Sequence, residues 1–174
     1  MRALVVYESM FGNTRLIAEA ISGGLARNLD VDTVEVGQAA ELEPDLDLIV
    51  VGGPTHAFSM SRPNTRKSAA DQAEDGIVST GIGIREWLEG FTRPRGLVAA
   101  ATFDTRIDKP RVPGSAAAAA HKRLRRLGFL LPMRPESFFV EGTDGPVISG
   151  EYERAHVWGE DLGAKVAGKR TAPV

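Results

Sequence analysis

Ser9-Met10-Phe11-Gly12-Asn13-Thr14 joins an apolar run, Leu4-Val5-Val6-Tyr7, to a segment whose helical patterning begins near Thr14. A strand, a hydroxyl-rich loop and a helix N-terminus in that order make an anion site. The hydroxyls of Ser9 and Thr14, the Asn13 amide and the backbone N–H groups between them can surround one phosphate. The helix dipole adds roughly 0.3–2 kcal/mol per charge, depending on burial. Gly12 lets the backbone approach closely, and the loop has no Lys of the kind a nucleoside-triphosphate loop uses. A phosphate monoester suits this chemistry better than a triphosphate. The same residues also serve as an ordinary capped helix start, so the loop alone leaves both readings open.

A chain of 174 residues, 43% hydrophobic, has the size of one compact domain. One domain is expected over residues 1–168, with an insertion at about 59–83 and a tail at 169–174. The sequence has no cysteine, which excludes disulfides, thiolate metal sites, iron–sulfur clusters and Cys nucleophiles. Twenty-one Lys and Arg against 23 Asp and Glu give a net charge of −2, without the basic excess of a nucleic-acid binder. There is no basic leader, signal core or run of 18 apolar residues, so the expectation is a cytoplasmic protein, neither exported nor membrane-spanning.

Apolar runs alternating with helical patterns predict consecutive βα units and a parallel sheet. Strands are expected at Ala3–Tyr7, Val31–Val36 (an edge strand), Leu46–Val51, Leu97–Phe103 and Ser137–Val140, with Gly52-Gly53-Pro54 ending the third. Leu16, Ile17, Ala20, Ile21 and Leu25 form the packing stripe of the first helix. Within the insertion, Arg62-Pro63-Asn64-Thr65 starts a helix running toward Asp75, and Ile84–Phe91 makes a short one. The glycines at 76, 81 and 83 suit a mobile lid. Ser115–Leu127 is a helix with a basic end at Lys122, Arg123, Arg125 and Arg126, read as a solvated turn that complements the helix dipole or as a phosphate or partner contact. Ser149 is positioned to cap the last helix, with Tyr152, Ala155, Trp158, Leu162 and Val166 as its stripe and a frayed end from Gly168.

In an open parallel sheet, ligands sit beyond the carboxyl ends of the strands, where strand order reverses. Under the order 2-1-3-4-5, the loops Glu8–Asn13, Pro54–Arg62 and Thr102–Val112 become neighbours. The first brings phosphate ligands. Pro54, Thr55, His56, Ala57 and Phe58 bring a hydroxyl and two rings; Thr102, Phe103, Asp104, Thr105 and Arg106 bring another ring with donors and acceptors. A flat aromatic ligand with a phosphate tail fits such a set.

With Ser9, Gly12 and Thr14 at the matching loop positions and Thr55 in the second loop, the chain resembles the flavodoxin family over nearly its whole length. The departures are Phe11 for the family's middle Thr, His56 where many members place a stacking Trp, and Ala57 where a Gly commonly sits, so that a Cβ there makes positive φ costly. The third loop lacks the usual Tyr, leaving Phe103 or Phe58 to cover the ring. The resemblance implies an α/β fold, a three-layer α-β-α sandwich around a five-stranded parallel sheet of order 2-1-3-4-5, in a divergent short-chain form. It implies FMN as cofactor, bound by the residues of the three loops, and Glu8 or Asp104 near the ring, disfavouring its reduced anion. Three functions follow from it: electron transfer between a reductase and an acceptor; NAD(P)H-dependent quinone or nitro-compound reduction, with His56 as proton donor; or a flavin-free partner-binding domain. A redox partner protein, no nucleic acid, no membrane and a monomer or weak dimer complete the expectation.

Overall fold

The computed structural model describes residues 1–39, 45–94, 96–108 and 113–171. Five strands, β1 (Arg2–Tyr7), β2 (Asp30–Glu35), β3 (Leu48–Pro54), β4 (Ala99–Ile107) and β5 (Glu136–Val140), form one sheet in the order β2-β1-β3-β4-β5. Every neighbouring pair is parallel. Because successive side chains of a strand point to opposite faces, the apolar runs of the central strands feed two cores. Val5, Leu48, Val50, Ala101 and Phe103 pack with helices α1 (Asn13–Leu25) and α5 (Glu151–Thr171). Val6, Ile49, Val51 and Ala100 pack with α3 (Ile84–Glu89) and α4 (Ala116–Leu127) on the other face. The three-layer sandwich and its strand order are those expected, and β2 lies at the edge.

Two strands run further than their sequence suggests. Gly52 and Gly53 do not end β3; they pair with Phe103 and Asp104 of β4, which itself continues to Ile107. The reason is a close approach: a Cβ on Gly52 would lie 2.0 Å from the Phe103 ring, so only glycine lets the ring cross the strand there. Glycines also set the contact between α1 and α5. A Cβ at Gly24 would fall 2.0 Å from the backbone oxygen of His156, and one at Gly159 would fall 2.3 Å from that of Ile21. The helices therefore touch backbone to backbone.

The predicted helical stripes hold except at their margins. Ile17, Ala20, Ile21 and Leu25 are buried, while Leu16 falls just outside the stripe and is exposed; on α5, Ala155, Trp158, Leu162 and Val166 are buried and Tyr152 is exposed. Gly150, at φ 88°, takes the capping position expected of Ser149, its carbonyl accepting the first helical bond from Arg154 N–H. Helix α5 continues through Thr171 where fraying from Gly168 was expected. Residues 172–174 and 109–112, the latter part of the expected third loop, lie outside the described residues. Among the described residues no helix is long and apolar enough to cross a membrane.

The insertion between β3 and β4 is ordered as α2 (Pro63–Gln72) and α3. Helix α2 is polar, with only Arg66 and Ala69 buried, so apolar packing contributes little to holding it. Its anchor is Arg66, whose Nη1 lies 2.9 Å from Ser61 Oγ and 3.1 Å from Glu86 Oε2.

Candidate functional site

At the carboxyl edge of the sheet lies a cavity of about 330 Å³. That is within the roughly 300–1,000 Å³ usual for small-molecule and cofactor sites. One end is made by the β1–α1 loop, through Met10, Phe11, Asn13 and Thr14. Gly12 is the N-cap of α1 at φ 92° and brings no side chain to the helix end, so the first-turn N–H groups of Asn13 and Thr14 receive no side-chain cap. Thr14 Oγ1 is 2.7 Å from Thr105 Oγ1, a buried hydroxyl pair tying the loop to β4. Asn13 Nδ2 donates to the Asp144 carbonyl at 2.9 Å and fixes the loop that follows β5.

Ser9 is placed differently from its expected role. Fully buried, it lies off the cavity wall, and its Oγ accepts from Gly12 N–H at 3.1 Å and Arg15 N–H at 3.4 Å. In this arrangement it shapes the loop from inside. Glycine at position 12 supplies the positive φ that the turn requires.

A second wall comes from the end of β3 and the turn beyond it, through Pro54, Thr55, His56 and Ala57. Thr55 Oγ1 also accepts from Ala116 N–H at 2.8 Å, at the start of α4. His56 and Ser59 exchange two backbone hydrogen bonds of 2.9 and 3.1 Å, enclosing Ala57 at φ 47° and Phe58 at φ 68°. Positive φ at both central residues is the type I′ hairpin geometry, which ordinarily takes Asn or Gly. The cost expected at Ala57 is thus present in the fold, and shared with its neighbour. Phe58 is 56% exposed and outside the cavity wall, so it does not cover a bound ring there. Burial, followed by the Arg66 charge, holds the His56 imidazole below its ordinary value, so it is neutral at neutral pH.

Of the five residues expected from the third loop, Thr105 and Arg106 reach the cavity. All five lie on β4, and the other three are buried away from the cavity wall. Phe103 is buried in the core edge-on to Phe138, with ring centroids 6.3 Å apart, and cannot stack on a ligand. Thr102 donates to the Ala117 carbonyl at 3.0 Å, and Asp104 accepts from Ala117 N–H at 2.8 Å, so both hold the first turn of α4. Glu8 likewise turns away: 1% exposed, it accepts from Ile84 N–H at 2.9 Å, and burial raises its carboxyl above the ordinary range despite Ser61, Ile84 and Arg66. Neither carboxylate lines the cavity, where Arg106 is the charged residue.

No protein family and no curated protein matches this chain by sequence. Solved structures do. A flavodoxin from the domain Archaea superposes with a TM-score of 0.63 at 23% identity, covering 95% of this chain and 99% of its own. Flavodoxin 2 of Bacillus cereus, in its oxidised form, gives 0.64 at 20% identity over 97% and 99%. A WrbA-like flavodoxin from Agrobacterium tumefaciens gives 0.60 at 16% over 96% and 98%. The chain has the flavodoxin-like fold.

Within that flavodoxin-like fold, two groups of cavity residues escape a reading based on three loops. Thr65, Ser68, Ala69 and Gln72 of α2 face the cavity at the i, i+3, i+4, i+7 spacing of a single helical stripe. The signal was present as a helix whose regular face is polar where a core helix would be apolar. Val140, Gly142 and Thr143 close the far side, and the rule that ligands sit beyond strand ends would have found them had β5 been included.

The residues present fit a flavin nucleotide. Unfilled helix N–H groups and a hydroxyl pair stand at one end, and Pro54, Ala57, Ile107 and Val140 give the apolar surface a flat ring needs.

Proposed function

We propose that this protein is a flavodoxin-family flavoprotein that binds riboflavin 5′-phosphate (FMN) without a covalent link and passes electrons between a reductase and an acceptor protein. The observation that carries the reading is the pair of α1 N–H groups at Asn13 and Thr14 that receive no side-chain cap, beside the Thr14–Thr105 hydroxyl pair and at a cofactor-sized cavity. The bound flavin supplies the one- or two-electron chemistry. The chain supplies binding and electrostatics: Asn13 and Thr14 N–H groups take the phosphate, with Met10 and Phe11 beside it. Pro54, Thr55, His56 and Ala57 flank the ring on one side, and Thr105 and Arg106 on the other. Glu8 and Asp104 are turned away from the cavity, so neither stands where it would repel the reduced ring as the sequence suggested.

Titrating purified protein with FMN quenches flavin fluorescence at concentrations on the order of tens of micromolar or below. No quenching there would remove the proposal and leave the flavin-free reading. A reductase acting on quinones or nitro compounds is favoured by one feature, the neutral hydrogen-bonding face of α2 over the cavity, which suits a small second substrate. His56 does not favour it, since an imidazole held neutral is a poor proton donor at pH 7. NAD(P)H consumption with a quinone and no added reductase separates the two.

A further inference from the structure

The insertion does more than cover the cavity. Residues 78 and 79 run alongside the β1–α1 loop and bind it at three points. Val78 N–H donates to Met10 O at 2.9 Å, Ser79 N–H donates to Ser9 O at 2.8 Å, and Ser79 Oγ accepts from Ser9 N–H at 2.9 Å. With Ile84 N–H on Glu8, each of residues 8, 9 and 10 is held by the 78–84 segment. Ser79 is 1% exposed and contributes nothing to the cavity wall. It acts through Ser9, whose own hydroxyl holds the N–H groups of Gly12 and Arg15 around the positive-φ turn. A buried relay therefore runs from Ser79 through Ser9 to Gly12, and at its end the N–H groups of Asn13 and Thr14 carry no side-chain cap.

We infer that Ser79 is a positioning residue for the phosphate end of the site, so that selectivity for a phosphorylated over an unphosphorylated flavin depends on a hydroxyl 70 residues away from the loop it organises. The inference rests on the FMN reading above. Replacing Ser79 by Ala removes one acceptor and leaves Ser9 N–H buried without a partner, and the loop must shift to satisfy it. The two other bonds use the backbone of residues 78 and 79 and survive, so the insertion stays docked and the ring-facing walls are unchanged.

The test compares FMN and riboflavin binding by fluorescence quenching in the wild type, Ser79→Ala and Ser79→Cys. The Cys variant is close in volume but offers only a weak acceptor. Wild-type protein binds FMN more tightly than riboflavin. In Ser79→Ala, FMN affinity falls roughly tenfold while riboflavin affinity stays within about twofold; Ser79→Cys lies between and gives the reading if the Ala variant does not fold. An equal loss for both flavins, or no loss for either, overturns the inference. Failure of the wild type to bind FMN, or equal wild-type affinity for the two flavins, removes instead the phosphate reading beneath it, and is seen before any variant is made.

Discussion

Ala57 gives the sharpest test of the cavity wall, because its backbone is unfavourable and its side chain does little. It sits at φ 47° in a two-residue turn and is solvent-exposed, so removing its methyl group sacrifices almost no burial. An L-residue in the left-handed region costs roughly 1–2 kcal/mol, a cost glycine does not carry. Glycine in turn loses roughly 0.4–1 kcal/mol through the greater freedom of its unfolded chain. The difference leaves Ala57→Gly more stable by about 0.5–1 kcal/mol. With a urea m-value of roughly 2 kcal/mol/M, the unfolding midpoint rises by about 0.25–0.5 M. Ala57→Val moves the other way, since a branched side chain tolerates that region worst. Equilibrium urea unfolding of the two variants and the wild type reads both signs at once. A midpoint lowered by Gly, or unchanged by Val, would refute the argument that this turn stores strain.

Two further predictions concern the frame around the site. In Gly24→Ala the new Cβ meets backbone atoms of His156 and Glu160, which cannot rotate aside. Helices α1 and α5 must separate, at a cost of about 2–3 kcal/mol and a Tm lowered by about 4–12 °C in thermal unfolding followed by circular dichroism. Glu8 binds its proton more tightly folded than unfolded, chiefly through burial, against the pull of Ser61, Ile84 and Arg66 and with Glu86 adding to the rise. Its contribution to stability is therefore full below the unfolded value near 4.5 and declines as pH rises through the higher folded one. Glu8→Gln lacks that decline, so its stability relative to wild type grows from pH 4 to pH 7 in a urea series; parallel pH profiles would contradict the assignment.

The frame was legible because its signals are local. The strands followed from alternating apolar runs, their order was what the family resemblance implied, and α1 and α5 announced themselves by stripes that the core in fact buries. What sequence spacing misplaced were the strand ends. Gly52-Gly53-Pro54 carries every mark of a terminator, yet Gly52 is glycine because Phe103, on the neighbouring strand, lies across it. The pairing runs on through Pro54 and Thr105, so that Asp104 to Ile107, expected in a loop, are strand.

The same kind of nonlocal contact explains why the site reads only in part. Helix α2 has no apolar face to advertise a docking direction. It lies over the cavity because Arg66 is held by Ser61 and Glu86 and because residues 78 and 79 bind the loop at 9 and 10. Apolar burial is roughly proportional to area and leaves a periodic trace in sequence, whereas a few directed polar bonds leave none. Bonds of that kind are also individually weak, each contributing about 0.5–1.5 kcal/mol net, somewhat more where a charge takes part. Helix α2 is thus placed by directed bonds that sequence spacing does not reveal, and the apolar layers beneath it by patterns that it does.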